Sequence, residues 1–115
     1  MVINSKSRAT LIAEIAKDKK ANDIILMDMR KASTFCDYFI IASANTSRHI
    51  KAISDEIEIK LKGRGIRLWH IEGEKEAKWV LLDYGDCLVH IFEPEVRRFY
   101  DLEGLWGDVP QVKFN

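Results

Sequence analysis

The sequence predicts a single domain of mixed α/β (α+β) class, with a mixed five-stranded sheet and about three helices. The chain has 115 residues, the length of one domain, and 47% of them are hydrophobic, which is enough for a real core. Segments rich in β-branched and aromatic residues are interspersed with segments whose apolar residues recur every three or four positions. The predicted order is helix, strand, strand, helix, strand, strand, strand, helix. Three helices leave part of one sheet face open to a partner.

The first half of the chain contains a helix and two strands. A helix is predicted over Ser7–Lys20, with lysines near its C-terminal end, where cations suit the helix dipole. A short apolar run over Ile24–Met29 predicts a strand. The run Phe35–Ser43 is rich in aromatic and β-branched residues and predicts a largely buried central strand.

A second helix and a third strand follow. Asn45, Thr46 and Ser47 supply helix-capping oxygens, and apolar residues at three- and four-residue steps predict a helix over Ser47–Lys62. Alternation over Ile66–Glu72 predicts the third strand. The strand, helix and strand together predict a parallel βαβ unit with a right-handed crossover.

The stretch from Lys78 to Phe92 predicts a β-hairpin. A glycine at the first central turn position suits a type II′ turn, so Gly85 and Asp86 are placed in the loop. One face of this hairpin is almost purely apolar and is predicted to be core: Val80, Leu82, Tyr84, Cys87, Val89 and Ile91. The other face mixes large apolar groups with an acid and a histidine, as a binding surface would: Trp79, Leu81, Asp83, Leu88, His90 and Phe92.

The C-terminal part begins with a predicted helix at Pro94, since proline is favoured at the first helical position. Val96, Phe99 and Tyr100 are expected to share one face of it, and Gly104 to end it. The domain is predicted to cover residues 1–108, followed by a tail of little pattern over residues 109–115.

Charge favours a protein partner over nucleic acid. Eighteen basic residues balance eighteen acidic ones, but nine acidic and only four basic residues lie between Glu72 and Glu103. An acidic region fits a basic protein better than DNA or RNA, so no strong direct nucleic-acid binding is expected. Cys36 and Cys87 lie in apolar runs, which indicates buried reduced thiols. No signal peptide or membrane-spanning run is evident, so we expect a cytoplasmic protein.

Motifs for catalysis are absent from the sequence. It has no Gly-rich nucleotide loop, no HExxH zinc motif and no GxSxG nucleophile motif. The three histidines, His49, His70 and His90, lie on three predicted elements at unrelated spacing, and the acids at strand ends form no DxD pair. Isolated histidines and solvated strand-end acids explain these residues better than a metal site does, so we expect no metal and no cofactor.

Five blocks of the sequence resemble the ribosomal silencing factor family, also known as Iojap or RsfS. They are "DIILMDMR", "DYFIIAS", "TSRHIKAISDEI", "EGEKEAKWVLLDYGDCLVHIF" and "RRFYDLEGLWGD", which cover about residues 23–108 in the family's order. One departure is visible, because the family pattern usually has glycine after the second strand, where this chain has Ala44.

The resemblance implies a fold similar to that of nucleotidyltransferases, without their catalytic motif. It also implies a translational repressor that binds the large ribosomal subunit through ribosomal protein L-fourteen, a basic protein at the subunit interface. Binding there would block joining of the small subunit when nutrients are scarce. Organellar relatives act in large-subunit assembly and carry targeting extensions, whose absence here favours a bacterial cytoplasmic member.

Combined with the resemblance, the mixed hairpin face becomes the expected docking site. Trp79 is the expected buried anchor, and Asp83, Glu76 and Glu95 are expected to meet basic residues of the partner. An assembly factor using the same surface, a degenerate nucleotidyltransferase and a homodimer of the free protein remain alternatives. A direct RNA binder is also an alternative, through Lys6, Arg8, Lys17, Lys19 and Lys20.

Overall fold

Six strands form one mixed sheet in a computed structural model that describes residues 4–112. The elements are α1 (Ser5–Asp18), β1 (Asn22–Asp28), β2 (Tyr38–Ser43), α2 (Ser47–Gly63), β3 (His70–Glu72), β4 (Trp79–Asp83), β5 (Cys87–Phe92), α3 (Pro94–Tyr100), α4 (Leu102–Leu105) and β6 (Gln111–Val112). The strand order is β3-β4-β5-β2-β1-β6. The predicted mixed α and β class is therefore confirmed, with one strand more than expected.

The additional strand comes from the predicted tail. Gln111 and Val112 pair antiparallel with Met27 and Leu26 at the edge of the sheet. Two residues are too few to show an alternating pattern, so the sequence did not predict this strand. The division at residue 108 stays a prediction, and residues 113–115 lie outside the described residues.

Capping side chains set the starts of the two long helices. The Asn4 side-chain oxygen accepts a hydrogen bond from the Ser7 backbone N–H at 2.8 Å, so α1 begins two residues before the predicted start. Thr46 caps α2 in the same way, accepting from the His49 N–H at 3.0 Å. Both helices pack their apolar stripes against one sheet face and build the main core there.

The hairpin register is as predicted. Val80 lies opposite Ile91, Leu82 lies opposite Val89, and the Tyr84 N–H donates to the Cys87 carbonyl at 3.0 Å. Gly85 has φ +87°, a left-handed conformation that glycine adopts without strain. All six residues of the apolar hairpin face are buried under α1 and α2.

The two strands of the predicted βαβ unit, β2 and β3, run parallel as expected, but they are not neighbours in the sheet. The strand that pairs in parallel with β2 is β5, not β3, and both β4 and β5 separate β2 from β3. The third strand is also shorter than predicted, because Ile66 and Ile71 both pack toward the main core and regular alternation fails between them. Trp69, expected within that strand, lies just before it, and its side chain is 72% exposed.

The opposite sheet face is partly covered by the C-terminal helices. They close a second, smaller core whose buried members are Met27, Met29, Cys36, Phe39, Ile41 and Phe92. Helix α3 ends at Tyr100 rather than at Gly104, because Asp101 has φ +46° and begins α4. Phe99, expected to share an apolar face with Val96, is 80% exposed, and Leu105 is 71% exposed.

The backbone at Ala44 does not require a glycine. Its backbone lies outside the left-handed region, its side chain is fully buried, and its N–H donates to the Phe92 carbonyl at 3.0 Å. The departure from the family pattern is therefore accommodated without strain.

Candidate docking surface

Three aromatic side chains form a patch where β4 meets α3. We name Trp79, Phe99 and Tyr100 the aromatic platform. The Trp79 and Tyr100 ring centroids are 4.7 Å apart, and those of Phe99 and Tyr100 are 5.0 Å apart. Trp79 is half-buried, whereas Tyr100 and Phe99 are 52% and 80% exposed. Exposed, mutually packed aromatic rings are typical of protein interfaces.

His90 and Phe92 lie beneath the platform rather than in it. They are 6% and 1% exposed, so in this conformation they cannot touch a partner, which corrects their predicted place in the docking surface. The Phe92 ring centroid is 4.9 Å from that of Trp79. The Trp79 indole Nε1–H donates to His90 Nδ1 at 3.1 Å. The two buried rings therefore support the half-buried Trp79 ring from below.

The environment of His90 keeps its ring neutral. Burial lowers the pKa of His90 to about 4, because desolvation penalises the charged imidazolium. The Phe39 ring packs edge-on against it, with centroids 5.0 Å apart. A neutral imidazole that accepts at Nδ1 carries its proton on Nε2.

Leu81, Asp83 and Leu88 continue the same sheet face away from the platform. All three are half-buried, and Asp83 pairs with Leu88 across the hairpin. One Asp83 oxygen accepts a hydrogen bond from the Gly85 N–H at 2.8 Å, so this acid also fixes the turn. These three side chains are partly accessible, and their contact with a partner stays a prediction.

Two predicted acids flank the platform in sequence. Glu76 lies in the loop before β4, Glu95 lies in the first turn of α3, and both are exposed. Between Glu72 and Glu103, the pair of Arg97 and Glu103 at 3.1 Å removes one base and one acid, and Asp86 pairs with Arg8 at 2.9 Å, so seven acids and three bases remain outside these pairs. The negative character predicted from composition is therefore present on the accessible side chains.

Phe99 and Tyr100 are the surface residues that sequence reasoning missed. Helical periodicity placed them on one face with Val96, yet α3 has only seven residues and ends before Asp101, which has a left-handed conformation, and both side chains are exposed. A usable signal was present, since Tyr100 belongs to the block that supports the family resemblance.

The histidines and cysteines considered as metal ligands or nucleophiles lie far apart in the fold, contact other groups or are buried. His49 Nε2 lies 2.7 Å from the Lys19 carbonyl, and His70 is exposed beside Glu72 at 3.5 Å. Within residues 4–112, no cluster of three metal-ligating side chains occurs. Burial raises the pKa of the Cys36 thiol to about 11 and also raises that of Cys87, which disfavours a reactive thiolate.

The apolar cavity of about 390 Å³ lies on the other side of the sheet, between α2 and the segment 65–68. It contains none of the predicted site residues. Among the described residues, no helix is both long and apolar enough to cross a bilayer.

Comparison with known proteins identifies the family. The model of the family described as "Ribosomal silencing factor during starvation" matches residues 2–115. The ribosomal silencing factor RsfS of Bacillus subtilis is 42% identical over 108 residues, which cover 94% of this chain and 92% of that protein.

A solved structure and an organellar protein extend the comparison. A crystal structure of a protein from Chromobacterium violaceum superposes with a TM-score of 0.89 at 35% identity, covering 91% of this chain and 88% of that one. The mouse protein named "Mitochondrial assembly of ribosomal large subunit protein 1" is 29% identical over 107 residues, covering 90% of this chain and 47% of the mouse protein. The chain belongs to the ribosomal silencing factor family.

Proposed function

We propose that this protein represses translation by docking on the large ribosomal subunit, through ribosomal protein L-fourteen, and sterically blocking the small subunit. The observation that supports this most directly is the aromatic platform, an exposed aromatic patch in an acidic part of the chain. The family description, with its reference to starvation, supports action under nutrient limitation. A ribosomal partner also leads us to expect a cytoplasmic protein.

Trp79 is the proposed anchor of the docking surface. Its ring packs against Phe92 and Tyr100, and its indole N–H is held by His90. A ring held in place before binding loses little conformational freedom on docking, which favours high affinity. Tryptophan is also enriched among residues that dominate interface energies.

The acids act mainly on the rate of association. Glu76 and Glu95 are exposed, and Asp83 is half-buried beside the hairpin turn. Opposite charges on a basic partner accelerate encounter and are screened by salt. Salt should therefore weaken docking chiefly through a slower association rate.

A role in large-subunit assembly is the second candidate function. The printed name of the mouse relative supports it, and the same surface would serve. Ribosome profiles of a deletion strain separate the two outcomes. Immature large subunits would indicate assembly, whereas excess joined ribosomes during starvation would indicate silencing.

Catalysis and direct RNA binding receive less support. The matched silencing factors carry the names of regulators, and we propose that this chain likewise is not an enzyme. Arg8, one of the basic residues considered for RNA, pairs with Asp86 at 2.9 Å and its side chain is only 19% exposed. Binding to naked ribosomal RNA whose affinity depends only weakly on salt concentration would agree with this proposal.

The docking experiment compares two tryptophan variants. Isolated L-fourteen protein and purified large subunits are each titrated with wild type, Trp79→Ala and Trp69→Ala. Trp79→Ala should lose roughly 2 kcal/mol of binding, about thirtyfold in affinity. Trp69 is 72% exposed on the segment before β3 and serves as the matched control.

The expected result for Trp69→Ala is wild-type affinity. Circular dichroism is used to check that both variants fold. A folded Trp79→Ala protein that binds as tightly as wild type would overturn the site. The platform can also pair with a second copy in the free protein, and sedimentation of Trp79→Ala against wild type tests that dimer.

A further inference from the structure

We infer that Arg97 is a positioning residue for the aromatic platform. It fastens the corner between α3 and α4 to the sheet, and this holds Tyr100 beside Trp79 before any partner arrives. The inference rests on the proposed docking function, but it concerns a residue that lies outside the docking surface.

The contacts of Arg97 join three elements. Its guanidinium is buried, with Nη1 donating to Ser43 Oγ at 2.7 Å and both Nε and Nη2 lying 3.1 Å from Glu103 Oε2. Ser43 is the last residue of β2 and is 1% exposed, and Glu103 belongs to α4. One side chain of α3 therefore links the sheet to the following helix.

The corner itself is built to return Glu103 to Arg97. The Asp101 N–H donates to the Arg97 carbonyl at 2.8 Å, and Asp101 has φ +46°. Its side chain then caps α4 by accepting from the Gly104 N–H at 3.1 Å. This sharp left-handed turn brings the carboxylate of α4 back against the guanidinium of α3.

The anchor point lies at the same level of the sheet as Trp79. Ser43 pairs with Phe92, and Phe92 pairs with Trp79 on the next strand. Tyr100 follows Arg97 by three positions, which places both on neighbouring parts of the helix surface. Fixing Arg97 on Ser43 therefore fixes the distance at which Tyr100 meets Trp79, 4.7 Å between centroids.

Only arginine can make this set of bonds. The planar guanidinium presents donors in a rigid fork, so it serves a hydroxyl and a carboxylate at once. A lysine ammonium is a point charge and can replace one of the two contacts well. Without the fork, the short α3 helix must be ordered when the partner binds, and that ordering lowers affinity.

The experiment measures docking on large subunits by Arg97→Lys, Arg97→Gln and Arg98→Gln proteins. Arg98 is the exposed neighbour and gives the same change of charge. Arg97→Gln should weaken binding about tenfold, Arg97→Lys about threefold, and Arg98→Gln less than twofold. The dependence of affinity on salt should stay that of wild type in both Arg97 variants, because no contact charge on the surface is lost.

A double-mutant cycle with Tyr100→Ala identifies the route by which Arg97 acts. If Arg97 positions Tyr100, the two losses do not add, and Arg97→Gln/Tyr100→Ala binds about as weakly as Tyr100→Ala alone. A second cycle with Glu76→Gln should give additive losses. Additive losses with Tyr100→Ala, or equal coupling to Glu76, would show general loosening and overturn the inference.

Folding and the proposed function are separated by two further variants. Ser43→Ala removes one hydrogen bond and serves if Arg97→Gln fails to fold. Ser43→Ala should weaken binding about threefold by itself, and it should cause no further loss of affinity in a protein that already carries Tyr100→Ala. If Trp79→Ala itself leaves docking unchanged, the proposed function fails. If Trp79→Ala weakens docking but folded Arg97 and Ser43 variants bind as wild type, the positioning role alone fails.

Discussion

The indole Nε1–H of Trp79 donates a hydrogen bond to Nδ1 of His90 over 3.1 Å, joining a half-buried ring of the platform to a buried imidazole. The bond fixes the tautomer of His90 and the tilt of the Trp79 ring. The other imidazole nitrogen, Nε2, is buried and has no hydrogen-bond partner within the described part of the chain. Protonation of Nδ1 would replace an acceptor with a donor facing another donor.

Stability should therefore fall in mild acid. The pKa of His90 drops from its usual 6.5 to about 4 on folding, so below pH 6.5 the unfolded chain takes up a proton that the folded chain refuses. The free energy of unfolding should decline as pH falls from 6.5 toward 4, by on the order of 3 kcal/mol in total, and this contribution should flatten below pH 4. Urea denaturation at a series of pH values measures it.

Replacing His90 by glutamine isolates this contribution. His90→Gln keeps an acceptor for the Trp79 N–H and removes the titrating group. Carboxylates also titrate in acid, but they are common to both proteins, so the difference between the two stability curves reports His90. Parallel curves for wild type and His90→Gln between pH 4 and 6.5 would contradict the assignment.

Loss of the flanking acids should slow docking rather than weaken the docked complex. Glu76→Gln and Glu95→Gln each remove an exposed negative charge that lies close to the platform residues in sequence. Stopped-flow association with L-fourteen protein should slow by about two- to threefold for each change at low salt, with dissociation nearly unchanged. Glu14→Gln is the control, since Glu14 is exposed on α1, across the sheet.

High salt should remove the difference between these proteins, because screening weakens long-range attraction. Equal association rates for Glu14→Gln and Glu76→Gln at low salt would count against an acidic docking region.

The two thiols should resist modification in the native protein. Cys36 is 5% exposed and Cys87 is fully buried, and burial raises the pKa of both. Since the thiolate is the reactive form, native protein at pH 8 should react with an aromatic disulfide reagent at least about a hundredfold more slowly than urea-unfolded protein. Fast labelling of one thiol in folded protein would show that its element opens readily.

The hairpin was predictable because its information is local. Gly85 at the first turn position fixed the register, and strict alternation then assigned each side chain to a face. Alternation says which face a residue lies on, but not what covers that face. His90 and Phe92 are buried because α3 and α4 fold over them, and the hydrogen bond from Arg97 of α3 to Ser43 of the sheet joins residues 54 positions apart in the chain.

Pairing between distant strands was equally out of reach. The parallel partner of β2 is β5 because a two-stranded hairpin fits between β2 and β3, and neither periodicity nor turn residues encode that order. The two residues of β6 become a strand only through pairing with β1. Local patterns therefore predicted the helices and strands themselves, but they did not predict which strands pair with each other.

Alanine at Gly85 should destabilise the protein, whereas alanine at Gly63 should not. Gly85 has φ +87°, and an added Cβ would lie 3.0 Å from two ring carbons of Trp69, so strain and crowding combine. We expect Gly85→Ala to cost about 1–3 kcal/mol of unfolding free energy. Gly63 ends α2 with open space around its Cα, and Gly63→Ala should gain about 0.5 kcal/mol from helix propensity.

Urea denaturation of both variants at neutral pH measures the difference. Docking by Gly85→Ala protein that remains folded should be within about twofold of wild type, because Trp79 lies at the other end of β4 from the turn. Equal stability of the two alanine variants would mean that the turn tolerates a Cβ, and the hairpin register would then need another cause.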